Sequence, residues 1–137
     1  PMAEAVPLAP LLDGFAASGL RLGVATNDAE MPARAHLAVA GVEAVFDFIA
    51  GSDSGHGGKP APGMLLAFAE AVGIAPARIV MVGDSTHDLL AGRAARMQTV
   101  GVLTGLADSG VLAPYADAVL PDIGHLPSWL EDVAGRS

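Results

Sequence analysis

Short apolar runs alternate along the chain with stretches in which apolar residues recur at helical spacing. The runs at residues 20–25, 46–50, 79–82, 99–103 and 118–120 predict buried strands. The stretches at residues 8–18, 32–39, 63–72 and 89–96, and a last one around Trp129, predict helices. Loops rich in polar residues and glycine separate these segments, so strands and helices are expected to follow one another in turn.

This alternation is typical of a parallel sheet that helices cover on both faces, with right-handed crossovers between the strands. Such sheets bind ligands beyond the carboxyl ends of their strands. That rule selects the loops that begin at Thr26, Gly51, Gly83 and Thr104. We therefore predict an α/β domain whose functional site is built from these loops.

Composition narrows the classes of function. A chain of 137 residues suits one domain, which we place at residues 1–137, and a formal net charge of −8 disfavours nucleic acids and anionic membrane surfaces as partners. Cysteine is absent, which excludes disulfides and thiolate catalysis and fits a reducing compartment. No apolar run reaches the roughly 18 residues of a membrane span. We expect a cytoplasmic monomer or homodimer.

Two carboxylates follow the apolar run at residues 79–82. Gly83 permits a sharp turn, Asp84 comes at the strand tip, and Asp88 comes one helical turn later, so both can reach one site. Hard oxygen ligands of this kind suit Mg²⁺, which binds one or two carboxylates and completes its shell with water and phosphate oxygens. The alternative is helix capping, with Asp84 or Ser85 as the cap and Asp88 as a first-turn acid.

A lysine and a hydroxyl stand at two other loops. Lys59 lies between the glycine-rich loop at residues 51–58 and the next predicted helix, where its charge can bind phosphate. Thr26 and Asn27 end the first predicted strand, where a hydroxyl and main-chain N–H groups can bind a phosphate oxygen. The alternatives are a solvated loop lysine and an ordinary helix cap.

The order Thr26-Asn27, Lys59-Pro60 and Gly83-Asp84-Ser85-x-x-Asp88 resembles motifs II, III and IV of the haloacid dehalogenase superfamily, in its phosphoglycolate phosphatase and β-phosphoglucomutase subgroup. The resemblance implies a three-layer Rossmann-like core with a parallel sheet. It implies that Thr26, Asn27 and Lys59 bind the substrate phosphate and that Asp84 is a Mg²⁺ ligand. Lys59 and Asp88 would be catalytic, with Asp88 supporting both Lys59 and the surroundings of the metal.

One motif of that superfamily has no counterpart in this sequence. Its members begin with a strand that ends in Asp-x-Asp, where the first Asp is the nucleophile and the second a general acid and base. The nearest string, Leu12-Asp13-Gly14-Phe15, lies in a helical pattern, so Asp13 is not expected to be the nucleophile. We expect that the first, central strand and the cap domain belong to a longer protein. Absence of the central strand would leave two interior strands unpaired or force them together.

The function that this resemblance implies is Mg²⁺-dependent hydrolysis of a small phosphate monoester, similar to phosphoglycolate, through an aspartyl-phosphate whose nucleophile lies outside this chain. Alone, the 137 residues are expected to be inactive. A phosphomutase of the same fold, or a non-catalytic module that binds phosphate or a partner protein, are the alternatives.

Overall fold

The computed structural model describes residues 8–135, in which five strands alternate with six α-helices. The strands are β1 (Gly23–Ala25), β2 (Phe48–Ala50), β3 (Val80–Gly83), β4 (Gln98–Val102) and β5 (Ala118–Leu120). The helices are α1 (Leu8–Ala17), α2 (Glu30–Val39), α3 (Gly63–Val72), α4 (Thr86–Ala94), α5 (Ser109–Leu112) and α6 (Leu126–Gly135). The predicted alternation of strand and helix is confirmed.

Several elements begin or end elsewhere than the apolar pattern predicts. Strand β1 begins at Gly23 because the residue before it bonds to a side chain and not to the main chain of β2. The Leu22 N–H donates to Asp47 Oδ2 at 3.0 Å. Helix α4 begins at Thr86, three residues before the predicted start, because the Ser85 hydroxyl caps it. Helix α3 ends as predicted, at Gly73, whose φ of 67° is a conformation that glycine adopts without strain.

The strands form two parallel sheets, not one continuous sheet. Strand β1 pairs with β2 in one sheet, and the other has the order β3-β4-β5. The facing edges of β1 and β3 have no partner strand among residues 8–135. The expectation that two interior strands would remain unpaired is therefore confirmed.

Alternate residues of the strands pack on opposite faces, which gives three layers. Ile79 and Met81 of the β3 segment contact a cluster built on α3, α4 and the residues that follow α4. Val80 and Val82 contact a second cluster, which contains residues of α1 and α6. Because successive side chains of β3 face opposite sides of the sheet, β3 lies between two helical layers. The near-continuous apolar runs predict this arrangement.

A cleft of about 620 Å³ separates the two sheets. Its walls are mostly apolar, and they include the side chains of Leu12, Phe15, Leu22, Phe68, Val82 and Leu126. The polar groups of Lys59, Asp84, Asp88 and Thr104 lie at one end of it, where β1 and β3 end. The cleft therefore runs between the two free strand edges and opens onto the residues that the sequence selects as a site.

The part of the chain that the structure describes contains no helix both long and apolar enough to cross a membrane.

Candidate active site

Lys59 and Asp88 form the centre of the candidate site. The Lys59 ammonium group donates hydrogen bonds to the carboxylate of Asp88 and, at 2.8 Å, to the main-chain oxygen of Ala25 at the end of β1. The two charged side chains are only 11% and 13% exposed. A charge removed from water to this degree is retained only when it is paired, which explains why both partners are engaged.

Asp88 is held in place on its other sides as well. Its Oδ2 atom accepts a hydrogen bond from the Asp84 N–H at 3.2 Å, and its own N–H donates to the Ser85 hydroxyl at 3.3 Å. Gly83 is required next to it, because a Cβ at that position would lie 2.2 Å from the Asp88 Cβ. The turn from β3 to α4 thus fixes the direction in which the Asp88 carboxylate faces.

Asp84 differs from Asp88 in its surroundings. Its side chain is exposed, and its carboxylate accepts no hydrogen bond from any residue that the structure describes. The loop after β4 lies against it: a Cβ at Gly105 would come within 2.8 Å of Asp84 Cγ. Asp84 also borders a groove of about 370 Å³ whose walls include Thr86 and Leu106. An exposed, unengaged carboxylate at a strand end is available to a cation.

The described residues supply only part of a metal site. They contain no group of three or more histidine, cysteine, aspartate or glutamate side chains placed to hold an ion. Both Asp88 oxygens already accept hydrogen bonds, so Asp84 is the carboxylate of the pair that is free to bind a metal. A single carboxylate fits Mg²⁺, whose remaining ligands are commonly waters and substrate phosphate oxygens.

Thr26 and Asn27 lie at the carboxyl end of β1, as predicted, and their side chains have different contacts. The Thr26 hydroxyl oxygen accepts a hydrogen bond from the Asp28 N–H at 3.1 Å, which leaves the hydroxyl proton free to donate. The Asn27 carboxamide makes two hydrogen bonds with the main chain of Lys59, one as acceptor at 2.7 Å and one as donor at 3.1 Å. Thr26, Asn27, Lys59, Asp84 and Asp88 thus all lie at the carboxyl ends of β1 and β3.

A second set of contacts fastens the loop at residues 51–58 to the start of α2. The Ser54 hydroxyl donates to a Glu30 carboxylate oxygen at 2.6 Å, and the Glu30 N–H donates to Asp53 at 2.9 Å. The Ser54 hydrogen bond, followed by that of Arg34, lowers the pKa of Glu30 below its usual value of 4.5. Arg34 is in ion-pair contact with Glu30 and Glu43.

Sequence reasoning misses this anchorage, although one signal for it exists. Glu30 and Arg34 are four residues apart on α2, the spacing at which an acid followed by a base pairs on a helix.

Asp13 lies where the sequence predicts it: it is an exposed residue of α1 and is not among the residues at the carboxyl ends of the strands.

Comparisons with known proteins find relatives that are phosphatases. A 41% identical relative is the phosphoglycolate phosphatase of Neisseria meningitidis serogroup A, matched over 117 residues, or 84% of this chain and 49% of that protein. The phosphoglycolate phosphatase of Rhodospirillum rubrum is 37% identical over 120 residues, or 88% and 50%. The chain thus spans about half the length of the curated relatives it matches.

Solved structures show the same fold. A haloacid dehalogenase family hydrolase from Deinococcus radiodurans, crystallised with bound phosphate and sodium, superimposes with a TM-score of 0.85 at 27% identity, covering 93% of this chain and 59% of that one. A putative β-phosphoglucomutase from Thermotoga maritima gives 0.82 at 25% identity, covering 93% and 59%. The sequence model of the haloacid dehalogenase-like hydrolase family matches residues 7–102. This chain therefore belongs to the haloacid dehalogenase-like hydrolase family.

Proposed function

We propose that this chain is the larger part of the catalytic core of a Mg²⁺-dependent phosphatase that hydrolyses a small phosphate monoester. The observation that carries the proposal is the placement of Lys59. Its ammonium group is almost fully buried, paired with Asp88, and situated at the end of an open cleft beside the exposed carboxylate of Asp84. A desolvated cation next to a free carboxylate suits an anionic substrate that is bound together with a metal ion.

Each residue has a distinct part in this proposal. A lysine ammonium has three N–H donors, and Ala25 and Asp88 accept two of them, so the third is available to a phosphate oxygen. The Thr26 hydroxyl and the main-chain N–H groups of its loop donate to other phosphate oxygens. Asp88 accepts a hydrogen bond from the Lys59 ammonium group and holds it at the site. Phosphoryl transfer needs this positioning and neutralisation of charge more than any covalent contribution from these side chains.

Asp84 would supply a carboxylate ligand to Mg²⁺. When bound, the ion would neutralise charge on the phosphoryl oxygens and on the attacking carboxylate. Asp84 fits that position because it extends from the end of β3 and its oxygens have no partner among the described residues. The other protein ligands would come from outside this chain.

The nucleophile would also come from outside it. We propose that an extended segment of a longer protein fills the cleft, pairs with the free edges of β1 and β3, and ends in an aspartate beside Lys59. One carboxylate oxygen of that aspartate would attack phosphorus as the ester P–O bond breaks. The departing oxygen would take a proton from the second aspartate of the Asp-x-Asp string and leave as the alcohol. Water would then hydrolyse the aspartyl-phosphate to release phosphate. The mostly apolar walls of the cleft favour such a buried strand.

The named activity of the relatives suggests the substrate class. Both relatives described above are phosphoglycolate phosphatases, so a small phosphorylated metabolite similar to phosphoglycolate is the proposed substrate. The net charge of −8 makes nucleic acids and anionic membranes poor partners and fits a protein that acts in the cytoplasm, as a monomer or homodimer.

Turnover with phosphoglycolate and with p-nitrophenyl phosphate tests the proposal. We expect no turnover from the 137-residue chain and Mg²⁺-dependent turnover from a longer protein that carries an upstream Asp-x-Asp strand. In that longer protein, Lys59→Met should lower kcat by at least about 1000-fold, since an electrostatic contact of this kind commonly supplies that factor. Arg93→Met, which removes an exposed positive charge on α4, is the matched control and should leave kcat unchanged. Normal turnover of Lys59→Met would refute the assigned role.

A Mg²⁺ titration tests Asp84 separately. We expect Asp84→Asn to weaken Mg²⁺ binding to the longer protein by about 10-fold or more, because the amide has lost the charge that a hard cation prefers. Asp28→Asn removes an equally exposed carboxylate from the β1–α2 loop and serves as the control. Equal Mg²⁺ affinities of Asp84→Asn and the unmodified protein would remove Asp84 from the metal site.

A further inference from the structure

We propose that Asn27 is a positioning residue: its carboxamide holds the main chain of Lys59 and thereby keeps the Lys59 ammonium group at the carboxyl end of β1. The importance of Lys59 to chemistry rests on the function proposed above. The positioning itself is a property of the chain that can be measured without any reaction.

The two hydrogen bonds of Asn27 engage both polar atoms of its carboxamide group. Asn27 Oδ1 accepts from the Lys59 N–H at 2.7 Å, and Asn27 Nδ2 donates to the Lys59 carbonyl oxygen at 3.1 Å. An amide side chain that pairs with both main-chain groups of one residue imitates a neighbouring strand. Asn27 therefore fixes the position and the orientation of the Lys59 main chain, although the two residues are 32 positions apart in the sequence.

The ammonium end of the Lys59 side chain is held by the same segment of the chain that contains Asn27. Its ammonium group donates to the carbonyl oxygen of Ala25 at 2.8 Å, and Ala25 lies two residues before Asn27. A lysine side chain is among the most costly to order, because it has many rotamers. Asn27 fixes the main chain of Lys59, and Ala25 and Asp88 fix its tip, so this side chain is held at both ends. Freeing the main chain would let the tip lose its alignment.

The residue before Lys59 is shaped for this contact. A Cβ at Gly58 would lie 3.0 Å from Asn27 Oδ1, which is closer than most side-chain contacts allow. Glycine at this position therefore permits the carboxamide to reach the Lys59 N–H. Asparagine also suits the other side of the contact: aspartate lacks the donor, and serine has a single polar atom.

This arrangement gives Asn27 a role besides direct recognition of the substrate by its side chain. Lys59 engages Oδ1 and one Nδ2 hydrogen, so the second Nδ2 N–H and the main-chain N–H of Asn27 remain as donors for a phosphate oxygen. The two possible roles of the Asn27 side chain, positioning Lys59 and binding phosphate directly, can be separated by experiment. Loss of a positioning side chain disturbs Lys59 even when phosphate is absent, and it has no effect on phosphate binding once Lys59 has been removed.

The chain contains a single lysine, so selective ¹⁵N-lysine labelling gives one main-chain amide signal and one ammonium signal, both from Lys59. In phosphate-free buffer, we expect Asn27→Ala to raise hydrogen exchange of the Lys59 amide by about 10-fold, as the loss of an amide hydrogen bond predicts. The ammonium signal should shift toward that of a solvated lysine. Gly58→Ala should produce a smaller change in the same direction by displacing the carboxamide. Ser54→Ala, which loosens the loop at its other end, should leave both signals unchanged.

Binding of inorganic phosphate provides the second measurement. Followed by ³¹P NMR in the presence of Mg²⁺, Asn27→Ala should weaken phosphate binding about 5-fold when Lys59 is present and not at all in the Lys59→Met background. Unchanged Lys59 signals in Asn27→Ala, or an equal loss of phosphate affinity in both backgrounds, would overturn the proposal. Altered Lys59 signals in a longer protein without phosphatase turnover would leave Asn27 as a positioning residue and refute only the proposed function.

Discussion

The ion pair of Lys59 and Asp88 allows a quantitative test of how this site is held together. At an effective dielectric constant of about 20 and an ordinary separation of about 3 Å, two unit charges attract by about 5 kcal/mol. Desolvation of both groups offsets much of this attraction, whereas removing one partner of a buried pair costs about 3 to 5 kcal/mol because it leaves the other charge uncompensated. Since the cleft gives water a path to the orphaned group, we expect the lower end of that range.

The experiment is a double-mutant cycle with Lys59→Met and Asp88→Asn. Methionine keeps most of the lysine stem, and asparagine keeps the volume of aspartate, so packing changes little. Each single variant should lose about 3 kcal/mol of unfolding free energy. The double variant should lose only about 1 kcal/mol, well below the sum, because no orphaned charge remains, which gives a coupling free energy of about 5 kcal/mol.

Urea denaturation followed by far-ultraviolet circular dichroism measures these free energies, and emission from Trp129, the single tryptophan, provides a second probe. Arg93→Met, which removes an exposed charge from the same helix as Asp88, should change the free energy by less than about 0.5 kcal/mol. Single variants that each cost less than about 1 kcal/mol and combine additively would refute the view that this pair is desolvated and mutually dependent.

Four further changes test other parts of the fold. Gly83→Ala should destabilise the chain by about 1 to 3 kcal/mol in urea, since the added Cβ would lie 2.2 Å from that of Asp88, whereas Gly14→Ala, with no atom within 4 Å, should stabilise α1 by about 0.5 to 1 kcal/mol. Glu30→Gln should lower the urea midpoint at pH 7. Because the pKa of Glu30 is held below 4.5, that difference should shrink as pH falls below 4.5 and the unmodified carboxylate takes up its proton. Arg96→Gly should stabilise the chain by about 0.5 to 1 kcal/mol, since Arg96 has a φ of 64°, which glycine adopts without strain.

The parts of the site that sequence predicts are those set by local geometry. Asp84 and Asp88 are four residues apart across a strand-to-helix turn, and that spacing alone places them one helical turn apart. The order of strands and helices is similarly local, because apolar periodicity reports each element separately. Helix α5 is only four residues long, too short to show a period, and the sequence pattern misses it.

The parts that sequence does not predict depend on which loops meet. Ala25 lies 34 residues from Lys59, and nothing in either segment specifies that a main-chain oxygen of one accepts from the other. The pairing of the Asn27 carboxamide with Lys59 is equally non-local. The resemblance to a known family names both residues, but it assigns them to phosphate and is silent on the contact between them.

The cleft between β1 and β3 also has a consequence for aggregation. A free strand edge is usually a template on which another molecule adds its own sheet. Here the inner edges of β1 and β3 face the same cleft, between walls that include Phe15 and Leu126 on one side and Leu65 and Phe68 on the other. A folded sheet that carries its own helices is too thick to enter between these walls, whereas a lone extended segment can. The inward direction of these two edges therefore keeps folded copies from adding to them and leaves unfolded chains as the competitors for this cleft.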